Sequence, residues 1–274
     1  MRGLWCVAML AAGIAHGQER QPGQGVNFYG REQEAALGRQ LAQEFRKTIT
    51  PLQNADASDY VKRVGAKLAA QFSGGWTYQI ETIREDRGGA THEPVAFPGG
   101  FIFVSANLIA AARNEAEFAG MLAHAMAHVA ARHGTRLATK SDLAQMAPMA
   151  KENAGWMRGS FPGAPVPMGM LAFQRANELE ADYLAVQAMA AAGYDPAGLA
   201  CYLERVQPAP GGRAVSAVFD ALPPRDRRVA AIRAEIGKLP AGAYQAGEEF
   251  ARVQAEVKVL EAAPNSNAPT AIGK

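Results

Sequence analysis

Apolar residues recur at helical spacing along most of the chain. Residues 31–46 set Ala35, Leu37, Leu41, Ala42 and Phe45 along one stripe, and a second helix from about residue 57 does the same with Tyr60, Val61, Val64, Leu68 and Ala69. Ser73-Gly74-Gly75 ends it. Trp76, Tyr78 and Ile80 then alternate with polar residues, the period of a half-buried strand. Two short apolar runs, Val95-Ala96-Phe97 and Phe101-Ile102-Phe103-Val104, flank Pro98-Gly99-Gly100 and predict a tight hairpin or strand bend. Residues 114–133 form the clearest helix. Asn114 with Glu117 three positions later makes a capping-box start, and Gly134 supplies the stop.

Residues 135–172 are less regular, with Met146, Met149, Met157, Met168 and Met170 and a Gly/Pro-rich stretch at 161–167. They read as a helix followed by a mobile flap over a cleft; methionines as plain core filling are an equally open reading. Residues 176–192 form a helix closed by Gly193, Asp195-Pro196 starts the next, and 225–236 is helical. Residues 246–262 make a weak helix, and 264–274 read as a disordered tail. No internal repeat is visible.

Composition narrows the class. The 274 residues are 49% hydrophobic and 20% charged, which excludes a disordered chain, a fibre and a coiled coil. The net charge is +2, from 28 basic and 26 acidic residues, with no basic tract, so no nucleic-acid partner is expected. Cys6 and Cys201 have no neighbours at metal-ligand spacing.

The first seventeen residues carry a positive start, an apolar run from Leu4 to Ile14 and a small-x-small site at Ala15-His16-Gly17. That is the build of a secretory signal peptide, too short to span a bilayer as an ordinary helix. Cleavage leaves Cys201 as the one cysteine; without cleavage the segment stays as a membrane anchor. No later run is long and apolar enough to cross a membrane. The expectation is an exported, periplasmic protein with residues 18–25 as a flexible leader.

His124 and His128 lie four apart on the 114–133 helix and share a face. Two imidazoles on one turn supply half of a tetrahedral zinc site; a surface pair and a hydrogen-bonded core pair remain open. Met121, Leu122, Ala123, Ala127, Val129 and Ala130 make this helix apolar nearly all round, and buried histidines need partners. Glu178 and Asp182 are a second pair four apart. A carboxylate at 178 could complete a two-His, one-Glu site, and Asp182 could accept the N–H of a ligating histidine. A solvated acidic face is the alternative, against which Ala181, Leu184, Ala185 and Ala188 suggest packing.

These pieces resemble a known family. Asn27-Phe28-Tyr29 with Glu32 to Gly38, then Phe97-Pro98-Gly99-Gly100-Phe101-Ile102-Phe103-Val104, His124 to Gly134, Arg175 to Asp182 and Gly193-Tyr194-Asp195-Pro196 follow one another in order. Together they resemble the zinc metalloendopeptidases that include the heat-shock protease HtpX, the CAAX prenyl protease and periplasmic BepA. The resemblance covers residues 26–239. It implies an α+β fold, a mostly helical zincin-like core with a small sheet beside the active-site helix. It also implies one metallopeptidase-like domain over 26–240, with the weak helix and tail (241–274) outside it. It implies zinc held by His124, His128 and Glu178, with Asp182 behind them, while His133 is not a ligand. Substrates would be unfolded or misassembled envelope proteins, bound as extended strands on an edge formed by Phe101, Ile102, Phe103 and Val104.

Two positions depart from the family. Its helix reads His-Glu-x-x-His, whereas this one reads His124-Ala125-Met126-Ala127-His128. The missing glutamate is the general base, not a ligand, so Ala125 removes the proton acceptor and spares metal binding. Glu117 is no substitute, about 10 Å away along the helix axis at 1.5 Å per residue. The family's histidine before Pro223 is Leu222 here. Two losses at chemistry, with the scaffold retained, read as natural drift from catalysis rather than one introduced change. The expected function is an envelope quality-control endopeptidase with weak or no proteolysis; the alternative is a non-catalytic pseudopeptidase that binds unfolded chains or an envelope partner.

Overall fold

A computed structural model of the chain describes residues 25–84, 93–146, 168–207, 222–244 and 247–262. The expected signal peptide, all but the last residue of the expected leader, residues 147–167 of the flap expected between about 142 and 170, and the tail expected at 264–274 lie outside the described residues. In chain order the elements are α1 (Arg31–Arg46), β1 (Thr50–Pro51), α2 (Ala55–Ala69), β2 (Gln79–Arg84), β3 (Val95–Phe97), a 3-10 turn (Pro98–Gly100) and β4 (Phe101–Ser105). Then come α3 (Ala106–Ala111), α4 (Glu115–Ala130), α5 (His133–Met146), α6 (Met168–Ala191), α7 (Ala197–Val206), α8 (Arg225–Ile236) and α9 (Glu248–Ala262). The architecture is the expected α+β one, mostly helical with one small sheet.

The sheet runs β1-β2-β4-β3. β4 is parallel to β2 and antiparallel to β3, with Val95 opposite Phe103 and Phe97 opposite Phe101. Phe101, Ile102, Phe103 and Val104 therefore do not form an edge, as the sequence suggested. They lie between two strands, and every β4 residue is buried. Ile102 and Val104 enter the main core, whereas Phe101 and Phe103 join Ala42 and Ile83 in a second cluster with Phe45 and Phe97 packed on it. A strand covered on both faces has no polar alternation, and that is why this run is uniformly apolar. The free edge on this side is β3. The strand expected around Trp76 to Ile80 instead begins at Gln79.

α4 runs through the middle of the helical layer. The Asn114 side chain accepts from the Glu117 backbone N–H at 2.9 Å, as the cap pattern predicts. A Cβ at Gly120 would meet Leu199 at 3.0 Å, so the small residue lets α7 pack closely. The helix ends earlier than expected. Arg132, not Gly134, takes the left-handed turn at φ 58°, and Gly134 belongs to α5. Arg132 is held there by Glu34, 2.5 Å from its Nε, and by the Tyr29 carbonyl. The break turns the chain sharply, so α5 starts beside α4's last turn.

α9 extends the domain past the boundary expected at 240. Its Phe250, Val253 and Val257 are buried in the main core, against α2 and α3. Among the described residues no helix is long and apolar enough to cross a membrane.

Candidate metal centre

α4 and α6 cross with their two i,i+4 pairs facing each other. His124 Nε2 and His128 Nε2 lie 3.1 Å apart. Glu178 reaches between them, Oε2 at 3.3 Å from His124 Nε2 and Oε1 at 3.5 Å from His128 Nε2. Among the described residues these three form a group of potential ligands with donor atoms all within 4.8 Å of one another. The sequence placed the same three together.

Asp182 sits one turn further along α6. Its Oδ1 is 3.0 Å from His124 Nδ1, close enough for a charge-assisted contact though off ideal hydrogen-bond geometry. Its other partner was not foreseen. Arg228, fully buried on α8, grips Asp182 with two bonds, Nε to Oδ2 at 2.8 Å and Nη2 to Oδ1 at 2.7 Å, and donates from Nη1 to Gln207 Oε1 at 3.4 Å. The run Arg225-Asp226-Arg227-Arg228 reads as solvated charge in sequence. Only the spacing of Arg228 with Val229 and Ile232 hints that it faces inward.

His133, Glu180 and Arg136 make a second unforeseen line. His133 Nδ1 lies 3.0 Å from His128 Nδ1, and its Nε2 lies 3.2 Å from Glu180 Oε2. Arg136 Nη1 is 3.3 Å from that same oxygen.

The electrostatics follow from burial and these partners. Burial opposes charge on His124, but Asp182 and Glu178 outweigh it and hold its pKa up at about 9. Burial drives His128 down to about 3, with His124 and His133 adding to the fall and Glu178 opposing it. Burial would raise the Glu178 carboxyl, yet His128, His124 and Arg228 bring it down to about 2. Asp182 is likewise held well below the ordinary carboxylate range, against burial, by Arg228 and His124.

The donor set fits a divalent cation such as zinc. Two imidazole nitrogens and an ionised carboxylate converge on one space, and electron-rich atoms this close need a proton or a cation between them.

Ala125 follows His124 and is buried. It brings no carboxylate to the site. Glu117 is already engaged, accepting from Arg205 Nη2 at 2.5 Å and from the Arg113 N–H at 2.8 Å. A carboxylate that sequence reasoning passed over comes instead from Glu93, two residues before β3. Burial raises its pKa, and it feels the charges of His124, Arg228, Glu178 and Asp182. Nothing in its neighbourhood of sequence marks it. Leu222 is half-buried three residues before α8.

Residues 51–236 match the model of peptidase family M48. The chain is 26% identical over 191 residues to the beta-barrel assembly-enhancing protease of Yersinia pestis, covering 64% of this chain and 38% of that protein. It is 26% identical over 188 residues to the Escherichia coli K12 protein of the same name, covering 64% of this chain and 37% of the relative. Over 172 residues it is 26% identical to the mitochondrial metalloendopeptidase OMA1 of Schizosaccharomyces pombe, covering 62% and 50%. The chain thus spans half or less of the length of these relatives. It belongs to peptidase family M48.

Proposed function

We propose that this M48-family chain is an exported zinc metalloendopeptidase by descent that binds extended, unfolded envelope proteins and cuts them weakly or not at all. One observation carries the reading: a complete donor set, His124, His128 and Glu178, stands beside an alanine at position 125. Zinc held there would supply a Lewis acid for a peptide carbonyl and would ease deprotonation of water. Asp182 and Arg228 orient His124. β3 offers the free sheet edge, with Val95 exposed on it, for an added strand held by backbone hydrogen bonds. Loose sequence preference follows from that mode. Ala125 can accept no proton, and Leu222 can neither ligate nor donate. Loss of a positioned base costs roughly 10²–10⁴-fold.

The test is turnover of casein by zinc-loaded protein. Wild type should show little or no chelator-sensitive cleavage, Ala125→Glu should gain it, and Leu222→His in that background should raise it further. Robust cleavage by the wild type, unchanged by Ala125→Glu, would overturn the reading. Export is checked separately by the mature N-terminus, expected at Gln18.

Glu93 favours a second reading, slow turnover rather than none. Its carboxyl feels the charges of His124, Arg228, Glu178 and Asp182, and burial raises its pKa, the direction that makes a carboxylate a better proton acceptor. Glu93→Gln should then abolish whatever chelator-sensitive cleavage the wild type shows; persistence at the wild-type rate removes Glu93 from the chemistry.

A further inference from the structure

His124 and His128 have Nε2 atoms that face each other and Glu178, so both must present Nε2 to a metal. A neutral imidazole has one bare nitrogen and one that carries hydrogen. For His124 the Nδ1 hydrogen has an evident acceptor in Asp182. For His128 the acceptor is another histidine, and the direction of that contact decides whether the centre works.

We infer that His133, anchored by Glu180, is a positioning residue that locks His128 into the tautomer with hydrogen on Nδ1 and a bare Nε2 aimed into the centre. The inference rests on the proposed metal site and deepens it. The chain of assignments starts at Glu180, where Arg136 lies against the same oxygen, Oε2, and pairs with its negative charge. A carboxylate only accepts, so the His133 Nε2 at 3.2 Å carries hydrogen. Neutral His133 then has a bare Nδ1. His128 Nδ1, 3.0 Å away, must be the donor, which leaves its Nε2 free. The ring planes are 77° apart with centroids at 4.9 Å, and the closest polar approach between them is through the two Nδ1 atoms. The break at Arg132 creates the geometry. A straight continuation of α4 would put His133 five residues past His128, on another face of the helix; the left-handed residue swings it back.

The two ligand histidines are thus held by unlike devices. His124 leans on a carboxylate paired with a fully buried arginine, and His128 leans on a neutral imidazole backed by a less enclosed carboxylate. Partners of this kind typically account for 10–100-fold in metal affinity.

The experiment measures zinc affinity, by competition with a chromophoric chelator, for wild type, His133→Phe, His133→Gln and Glu180→Gln. In parallel, ¹⁵N NMR reads the His128 tautomer in the zinc-free protein at neutral pH. Far-UV circular dichroism and thermal melts confirm that each variant folds. His133→Phe keeps a flat ring but offers no acceptor, so affinity should drop 10–100-fold. His133→Gln can accept from His128 and donate to Glu180, so it should recover most of the loss, which a role in packing alone would not produce. Wild-type His128 should show hydrogen on Nδ1. Equal zinc affinity in wild type and His133→Phe, or hydrogen on Nε2 of wild-type His128, would overturn the inference and leave the metal site standing. Failure of the wild type to take up zinc while His128 keeps hydrogen on Nδ1 would remove the metal reading and support the relay.

Discussion

Arg228→Met is the sharpest perturbation of the centre. Arg228 is completely enclosed, and its charge is satisfied by Asp182 through two short bonds, with Glu178 Oε2 at 3.8 Å. Removing the cation leaves the Asp182 and Glu178 carboxylates with only the imidazoles of His124 and His128 against them. Breaking one side of a buried pair costs about 3–5 kcal/mol. For a domain of this size each kcal/mol shifts the melting midpoint by about 2–4 °C, so the zinc-free variant should melt about 6–20 °C lower. Asp182→Asn should cost a similar amount by stranding the arginine. The double variant should lose less than the sum, with a coupling of about 1–3 kcal/mol. Saturating zinc should shrink the deficit of Arg228→Met, because a divalent cation offsets the same carboxylates; at one hundred times Kd the ligand adds about 2.7 kcal/mol.

The pH dependence has a definite sign. Asp182 is held below its ordinary range, so the stability it carries is present above the unfolded value of about 4 and is lost as the pH falls. The gap between wild type and Arg228→Met should therefore be widest above about pH 4 and close below it. Scanning calorimetry of the four proteins, with chelator and with zinc, provides the measurement. Single-variant losses under about 1 kcal/mol that add without coupling would refute the claim that this pair is a buried, mutually dependent unit.

Other outcomes follow from the same structure. His124 carries a proton below its raised pKa of about 9 and must shed it to ligate, so apparent zinc affinity should rise about tenfold per pH unit from pH 7 toward 9 and flatten above. Calorimetric titrations in buffers of different ionisation enthalpy should show about one proton released per zinc near pH 7; none released would contradict it. Gly38→Ala would bring a Cβ to within bonding distance of the Pro98 carbonyl and force the 3-10 turn away from α1, displacing β3. Its melting point should drop, and any binding of unfolded chains should weaken more than zinc affinity does; equal loss of both would count against β3 as the docking edge. His124→Ala with His128→Ala should abolish stoichiometric zinc, and metal retained in that double variant would dismiss the donor set.

What the sequence revealed and what it hid divide along the distance between partners. The pairs His124/His128 and Glu178/Asp182 each lie within one helical turn, so periodicity alone put their side chains on common faces, and the apolar residues around them signalled burial. Of the groups behind them, Arg228 comes from a remote segment, α8, and Glu180, although it sits between Glu178 and Asp182 on α6, acts only through His133 from beyond the end of α4; the Glu93 carboxyl comes from before β3. No local pattern distinguishes such residues from solvated charge. His133 was hidden for another reason, since a helix read straight through to Gly134 aims it elsewhere, and only the left-handed Arg132 brings it back. The β4 error has the opposite character. Phe101-Ile102-Phe103-Val104 lacks polar alternation, which argues for cover on both faces and against an edge; family resemblance took precedence over that signal.

The support network also weighs on what Ala125 means. A buried ion pair is rarely more stabilising than apolar residues of the same volume. Asp182 with Arg228, and His128 with His133 and Glu180, are therefore poor solutions if the centre serves only to hold α4, α6 and α8 together. They are good solutions for presenting two imidazole nitrogens and a carboxylate to a cation. The general base is the one part of the machinery whose loss leaves the rest satisfied, because a methyl group at 125 packs without exposing any partner. Loss of a ligand would strand its neighbours; loss of the base strands nothing. A chain that drifts from hydrolysis while it continues to hold metal and bind extended segments is expected to lose this residue first, and zinc affinity undiminished beside Ala125 is the measurement that separates such a chain from a relic.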